Sequence, residues 1–165
     1  MVRRINKVLI DIVTWFGERM YVQDERSEEW GVVTGGCKTK YTNFELTGQR
    51  YDKFMESILQ DAIRELNEET NVIFPSDRYI LTNKMETYYL PCEIKNKEAK
   101  KYYLNNCNKQ VLSTYYMFTV YISMNEKNMI LKNFKRNSEI SSIKFENKCE
   151  PITNQWALLD HLQLA

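Results

Sequence analysis

The sequence is most informative between Glu56 and Val72, where it runs Glu-Ser-Ile-Leu-Gln-Asp-Ala-Ile-Arg-Glu-Leu-Asn-Glu-Glu-Thr-Asn-Val. At about 100° per residue its apolar residues form one face of an amphipathic helix. Three carboxylates, Glu65, Glu68 and Glu69, fall within roughly 100° of arc beside that face. Close carboxylates repel one another, and a divalent cation with oxygen ligands removes the conflict. The stretch therefore predicts a helix that carries a metal site.

The intervals between these residues resemble a known motif, the Nudix box, G-x5-E-x7-R-E-U-x-E-E-x-G-U, where U is a bulky aliphatic residue. Glu56 is followed by seven residues and then by Arg64-Glu65-Leu66, Glu68-Glu69 and Asn71-Val72, so every charged position of the box is present. Upstream, residues 30–36 (Trp-Gly-Val-Val-Thr-Gly-Gly) resemble the strand and Gly-Gly turn that precede the box.

Two positions depart from the box. The glycine expected six residues before Glu56 is Arg50, so residues 37–52 are predicted to be an insertion between the Gly-Gly turn and the helix. The late glycine is Asn71. Asparagine is the next-best residue for a left-handed helix C-cap, so this second change is mild.

A second, shorter resemblance lies downstream. Residues 133–145 (Asn-Phe-Lys-Arg-Asn-Ser-Glu-Ile-Ser-Ser-Ile-Lys-Phe) are similar to a segment of Nudix proteins from large DNA viruses, above all the poxvirus mRNA-decapping enzymes. Asn71 in the glycine position also occurs in that group. In many Nudix enzymes a glutamate before this late strand is a further metal ligand or the general base, and Glu139 matches its position.

The pattern along the chain predicts one domain over residues 1–165. We expect strands at 7–16, 20–23, 30–33 and 111–123, one or two strands at 79–90, a late strand at 143–145, and helices at 51–70 and 153–163. Periodicity alone allows several α+β folds. The resemblance implies one of them, an α/β/α sandwich around a mixed sheet, with the acidic helix as its central catalytic element.

The resemblance also implies the chemistry, which is hydrolysis of a phosphoanhydride in a nucleoside diphosphate linked to another group. Mg²⁺ or Mn²⁺ would neutralise the phosphates and lower the pKa of the attacking water. The implied metal ligands are Glu65, Glu68, Glu69 and Glu139. Glu68, Arg64 and Glu139 are the implied catalytic residues.

Supporting and substrate-binding roles are assigned to the surrounding residues. Arg64 is predicted to pair with Glu56 at the helix start, and Glu56 serves as structural support. The substrate-binding candidates are glycines that let backbone approach the phosphates, an aromatic platform for a base and a cation beside the insertion. They are Gly35, Gly36, Trp30 and Lys38.

Composition limits the partners and the compartment. The 165 residues carry a net charge of +1, which provides no bulk attraction to nucleic acid or membrane, and DNA binding is not expected. No apolar run is long enough to span a bilayer. The four cysteines are scattered without a C-x-x-C, which favours free thiols in a reducing compartment, the cytoplasm, or the host cytoplasm if the protein is viral.

Three functions remain open at this stage. The leading prediction is hydrolysis of the mRNA cap, which would release m7GDP from capped RNA. The alternative is a pyrophosphohydrolase of small nucleotides such as ADP-ribose, a dinucleoside polyphosphate or a nucleoside triphosphate. The third is a binding protein that keeps the fold without activity, and the intact carboxylates argue against it. The sequence leaves the oligomeric state open.

Overall fold

A computed structural model describes residues 3–38, 48–89 and 111–147 of the chain. These residues form seven strands and two α-helices. The strands are β1 (Arg3–Thr14), β2 (Glu18–Asp24), β3 (Trp30–Gly31), β4 (Val33–Gly36), β5 (Ile80–Tyr89), β6 (Val111–Ile122) and β7 (Ile140–Asn147). The helices are α1 (Gly48–Thr70) and α2 (Met124–Asn133), and a short 3-10 helix spans Ser76–Arg78.

The strands of the described residues build one mixed sheet. Its main path is β3-β2-β1-β6-β5, with β4 added to β1 and β7 added to β2. Strands β1 and β6 run parallel over twelve residue pairs, from Arg3 beside Val111 to Thr14 beside Ile122. The other pairings are antiparallel. The predicted α/β class with a mixed sheet is therefore confirmed.

The core lies between the sheet and α1. Strand β6, which the sequence predicts at 111–123, has buried side chains at every position from Val111 to Val120. Residues two apart on β1 and four apart on α1 meet in one apolar cluster, as the periods of a strand and a helix require. They are Val8, Ile10, Ile12, Ile58, Ala62 and Leu66. Full burial of each large aliphatic side chain stabilises the fold by about 1.5–3 kcal/mol.

A buried ion pair connects β1 to β2 on the other face of the sheet. Arg19 donates from Nε to Asp11 Oδ1 at 2.7 Å and from Nη2 to Asp11 Oδ2 at 3.2 Å, and both side chains are almost completely buried. Asp11 alternates with Ile10 and Ile12, which point into the α1 cluster, so the pair lies opposite α1. The ion pair therefore fixes the β1–β2 hairpin without contributing to the acidic edge.

Helix α1 is longer than the sequence predicts. It begins at Gly48 and not at Tyr51, so residues 48–52 of the predicted insertion are helical. The reason is that the apolar pattern that marks a helix starts only at Phe54, whereas the first turn, from Gly48 to Tyr51, is exposed and carries no such pattern. Residues 39–47 of the predicted insertion lie outside the described residues.

Asn71 ends α1 as the sequence predicts. Its φ is 61°, in the left-handed region, and its N–H donates to the Asn67 carbonyl at 2.9 Å. Exchange of Asn71 for alanine is expected to lower the free energy of unfolding by about 1 kcal/mol. The reason is that the left-handed conformation is less favourable for alanine than for asparagine. Exchange for glycine should be neutral or stabilising. Urea denaturation of both variants tests the assignment, which equal losses in the two would contradict.

Helix α2 was not predicted. Its start has a local signal, since Ser123 accepts from the Glu126 N–H at 3.2 Å while the Glu126 side chain accepts from the Ser123 N–H at 3.0 Å. This reciprocal capping box follows the pattern Ser-x-x-Glu. The Glu126 carboxylate also accepts from Arg78 at 2.9 and 3.0 Å, which fastens α2 to the 3-10 helix.

The Gly-Gly turn predicted after Trp30 was wrong. Gly35 and Gly36 lie inside strand β4, where Gly35 pairs with Val8 and Gly36 with Lys7 of β1. The predicted single strand at 30–33 is instead two short strands on either side of Val32. Gly35 is needed in the strand because the Glu65 side chain of α1 lies directly over it.

Other predictions are partly tested. The strands predicted at 79–90, 111–123 and 143–145 are confirmed as β5, β6 and β7, with β7 longer at both ends. The helix predicted at 153–163 lies outside the described residues.

Three of the four cysteines also lie outside the described residues. Cys37 is a free cysteine, as predicted. No helix in the described part of the chain has the length and apolarity to cross a membrane.

Candidate metal centre

Two of the predicted ligands, Glu65 and Glu69, lie one turn apart on α1 and turn toward the protein. The two residues are 8% and 7% exposed, which is unusual for glutamate. Glu69 Oε2 is buried and has no hydrogen-bond partner. Glu68 differs, because half of its side chain is exposed to solvent. The helix edge thus divides into two buried carboxylates and one accessible carboxylate.

The buried carboxylate of Glu65 rests directly on strand β4. A Cβ atom placed on Gly35 would lie 2.0 Å from Glu65 Cδ and 2.3 Å from Glu65 Oε2, far inside van der Waals contact. Any other residue at position 35 would force the Glu65 side chain to shift. The predicted close approach of backbone to the site is therefore present at Gly35. At Gly36 a Cβ would meet nothing within 4 Å.

Arg64 links the carboxylates to β4. Its Nη1 donates to Glu65 Oε1 at 3.0 Å and to Glu68 Oε2 at 3.2 Å. Its Nη2 donates to Asp61 Oδ1 at 3.3 Å and to the Gly36 carbonyl at 3.4 Å. One guanidinium thus connects three acidic residues of α1 with the strand below.

The predicted pair between Arg64 and Glu56 was wrong. Arg64 forms its ion pairs with Asp61, Glu65 and Glu68, and the exposed Glu56 is not among its partners in the described residues. Glu56 lies eight residues earlier, about 12 Å along the helix axis, whereas the acids that Arg64 contacts are one, three and four residues away. Arg64 instead connects α1 to β4, because it donates a hydrogen bond to the Gly36 carbonyl.

Glu139 joins the two buried glutamates from another part of the chain. It lies in the turn before β7 and is exposed, yet its negative charge raises the pKa of both Glu65 and Glu69. Its carbonyl accepts from the Glu25 N–H at 2.8 Å, which places the turn against the end of β2. The structure thus brings Glu139 to the acidic helix, as the sequence predicts.

The electrostatics show how crowded these carboxylates are. Burial, then the charges of Glu65 and Glu139, raise the pKa of Glu69 to about 9. Burial also raises the pKa of Glu65, against the opposing effect of the neighbouring Arg64. Without a cation, the site therefore holds a proton on Glu69 at neutral pH.

Comparison with solved structures identifies the architecture. A MutT/nudix family protein from Enterococcus faecalis matches with a TM-score of 0.51 and 10% identity, over 89% of this chain and 45% of that chain. The chain has the Nudix fold. At this identity the likeness concerns the fold alone, and this chain spans less than half the length of the Enterococcus protein.

Two further Nudix-fold comparisons have lower TM-scores. A Caenorhabditis elegans Ap4A hydrolase in a binary complex matches with a TM-score of 0.47 and 14% identity, over 98% of this chain and 92% of that chain. The Escherichia coli dihydroneopterin triphosphate pyrophosphohydrolase matches with 0.48 and 13%, over 95% and 94%. No family model matches the sequence, and no curated protein matches it.

The acidic residues of α1 fit a divalent cation chemically. Their donors are carboxylate oxygens, which Mg²⁺ and Mn²⁺ prefer. The buried, unpartnered Glu69 Oε2 and the mutual repulsion around it are what a cation would relieve. In the described residues no group of three His, Cys, Asp or Glu side chains already has a metal-binding geometry, and Arg64 instead neutralises Glu65 and Glu68. Metal binding would therefore require side chains to rotate away from Arg64.

Burial of Glu69 makes a prediction for the metal-free protein. A raised carboxyl pKa means that the folded state holds the proton more tightly than the unfolded chain. Stability should therefore be complete below the ordinary value of 4.5 and decline as the pH rises toward about 9. The expected slope is about 1.4 kcal/mol per pH unit, since the difference is about one bound proton.

Urea denaturation in EDTA at several pH values measures this slope. Replacement of Glu69 by glutamine should flatten it, because glutamine does not titrate. Replacement of the exposed Asp52 by asparagine is the matched control on the same helix and should leave the slope unchanged. A wild-type slope equal to that of the Glu69→Gln variant would show that Glu69 is ionised in the folded metal-free protein.

The remaining predicted site residues are placed differently. Trp30 pairs with Gln23 in β2, whereas the neighbouring Val22 points into the core with α1. Side chains alternate along a strand, so Trp30 lies on the face away from α1, where Lys144 Nζ stands 4.1 Å from its ring centroid. Its predicted stacking on a base has no support in this geometry. Lys38 is exposed just beyond β4 and stays a prediction.

Two acidic residues of the site were missed. Asp61 is 6% exposed and pairs with Arg64, one turn before Glu65. Its four-residue spacing from Glu65 was a usable signal. Asp24, at the end of β2, adds to the negative charge that raises the Glu69 pKa. Asp24 pairs with Ile140 where β2 meets β7, and no local sequence pattern indicates that pairing.

Proposed function

We propose that the chain is a divalent-metal-dependent Nudix pyrophosphohydrolase that cleaves a phosphoanhydride bond in a small nucleotide. One observation carries the proposal: Glu65 and Glu69 are buried side by side on the helix of a Nudix fold, and Glu139 reaches them from the opposite segment. A bound cation of this type neutralises phosphate charge and lowers the pKa of the attacking water. The ligands proposed for it are Glu65, Glu68, Glu69 and Glu139.

The residues around the proposed metal centre have different proposed roles. Glu65 and Glu69 lie on a rigid helix. Their negative charge would hold the divalent cation in a fixed position. Glu68 is accessible to solvent, as a base that accepts a proton from an attacking water must be. Arg64 carries the cationic group nearest to these acids, and once it is released from Glu65 and Glu68 its guanidinium can hold a phosphate oxygen.

The charge around the site favours a small substrate. Asp24, Glu68 and Glu139 act electrostatically on Glu65 or Glu69, so the charged groups that act on these two carboxylates are acidic apart from Arg64. The whole chain has a net charge of +1. Long RNA binds through many phosphate contacts to lysine and arginine. A small nucleotide that binds as its metal complex does not require a surface rich in lysine and arginine.

Removal of the RNA cap is the second candidate. It is favoured by the resemblance of residues 133–145 to the decapping group and by Asn71, which adopts the left-handed conformation in the position of the box glycine. Glu139, the acid of that segment, does reach the helix. This candidate requires a basic surface for RNA, which would have to come from residues beyond those described around the site.

One panel of substrates separates the candidates. The protein is incubated with Mn²⁺ and, in separate reactions, ADP-ribose, a dinucleoside tetraphosphate, free cap dinucleotide and cap-labelled RNA, and the products are separated by chromatography. Turnover of a small nucleotide is the expected result. Release of m7GDP from long RNA with no turnover of small substrates would select decapping. Turnover of nothing, or activity retained in the Glu68→Gln variant, would contradict the proposed function.

A further inference from the structure

We propose that Asn137 is a positioning residue that sets the Glu139 carboxylate against the buried glutamates of α1. The inference deepens the proposed function, because the site in question is the same one. It concerns a residue that contacts neither the helix carboxylates nor a substrate. Its whole effect passes through the backbone beneath Glu139.

The Asn137 side chain makes three hydrogen bonds, all to the main chain. Its Nδ2 donates to the Glu69 carbonyl at 2.8 Å. Its Oδ1 accepts from the Glu139 N–H at 2.9 Å and from the Ile140 N–H at 2.9 Å. A single planar amide therefore connects the backbone of Glu69 directly to the backbone of Glu139.

The Glu69 carbonyl is available because α1 ends there. The last four carbonyls of a helix have no intrahelical partner, and the helix ends at Thr70. Asn137 satisfies one of these groups from outside the helix. The contact spans 68 residues of sequence, so it fixes the turn before β7 to the catalytic helix and is not local capping.

The rest of the turn is closed around the same side chain. The Asn137 N–H donates to the Ile140 carbonyl at 3.0 Å, and the Glu25 N–H donates to the Glu139 carbonyl at 2.8 Å. Arg136 forms an ion pair with Glu25. These contacts tie the turn to the end of β2, whereas Asn137 ties it to the backbone of α1.

The position calls for an amide. Its oxygen must accept two N–H groups while its nitrogen donates to a carbonyl, and asparagine supplies both at the right length. Aspartate would lose the donor and add a negative charge beside an acidic cluster. The Glu139 side chain is exposed, so its direction toward Glu69 depends on how the backbone beneath it is held. Groups that orient ligands in this way typically change metal affinity or activity by about 10–100-fold.

The test is a double-mutant cycle with Glu139. Asn137→Ala is expected to lower kcat about 10–100-fold with a smaller change in KM. In the Glu139→Gln background the same replacement should cost no more than about 2-fold, since its target is gone. Asn137→Ser keeps an acceptor for the Glu139 N–H and should fall between wild type and Asn137→Ala. Ser138→Ala, in the same exposed turn, is the matched control.

A second readout does not depend on turnover. Mn²⁺ affinity, measured by calorimetric titration, should fall in Asn137→Ala by about as much as in Glu139→Gln, and the double variant should bind as weakly as Glu139→Gln alone. Thermal melting in EDTA reports any loss of folding separately, and Asn137→Ser provides the folded comparison if Asn137→Ala is unstable.

Two outcomes would overturn the inference. One is that the effects of Asn137→Ala and Glu139→Gln simply multiply, which would make Asn137 a purely structural residue. The other is Mn²⁺ affinity that falls in Glu139→Gln and not in Asn137→Ala. Failure of the proposed function looks different: the wild-type protein would turn over no substrate, while the Mn²⁺ titrations would still decide the role of Asn137.

Discussion

Replacement of Glu65 by glutamine is expected to lower kcat/KM for the protein's substrate by at least about 100-fold, or about 3 kcal/mol of transition-state stabilisation. Glu65 is buried against β4, and a neutral amide there would leave a divalent cation with one charge fewer to hold it. The measurement is steady-state hydrolysis at several Mn²⁺ concentrations. Glu68→Gln is expected to be equally damaging.

Asp52→Asn is the control for both variants. Asp52 is an exposed acid on the same helix, and its replacement should leave kcat/KM within about 2-fold of wild type, as is usual for surface positions. Thermal melting in EDTA checks that each variant folds. If Glu65→Gln folded normally and kept more than a tenth of the wild-type kcat/KM, Glu65 would not be a ligand.

Gly35→Ala should lower kcat by about 100-fold although Gly35 carries no functional group. The new Cβ would overlap the Glu65 side chain, with Glu65 Cγ 2.2 Å away, so the carboxylate has to move by more than 1 Å. A displacement of about 1 Å at a catalytic group can cost about 100-fold in rate. The flexible end of Glu65 can yield, so the variant should still fold.

Gly31→Ala is the matched control for this prediction. Gly31 lies in β3, and a Cβ placed there meets nothing within 4 Å. Steady-state kinetics and Mn²⁺ titration of the two variants should therefore differ sharply. Normal Mn²⁺ affinity and activity in Gly35→Ala would mean that the resting position of Glu65 on β4 is irrelevant to the reaction.

The features that the sequence predicts well depend on local patterns. Helix α1, the acidic edge formed by Glu65, Glu68 and Glu69, and the left-handed Asn71 all follow from spacing within about two turns of helix. The β-branched and aromatic residues of β6 likewise indicated a strand. In each case the residues that make the pattern also make the contacts.

The features that it misses depend on tertiary contacts. The charge pattern placed several acids within reach of Arg64, Asp61 among them, but it could not show that the Gly36 carbonyl would be a partner. Gly35 and Gly36 suggested a turn, whereas both lie in β4 and Gly35 lets that strand pass under Glu65. The roles of Asp24 and Asn137 arise only when β2, β7 and the end of α1 meet.

Calorimetric titration of Mn²⁺ into the metal-free protein near neutral pH tests the central claim most directly. In two buffers of different ionisation enthalpy, it measures both affinity and the protons released on binding. Since burial and neighbouring charge raise the pKa of Glu69 to about 9, we predict binding that releases about one proton, and much weaker binding in Glu69→Gln. No binding, or binding of equal strength in wild type and Glu69→Gln, would contradict a metal centre on this helix.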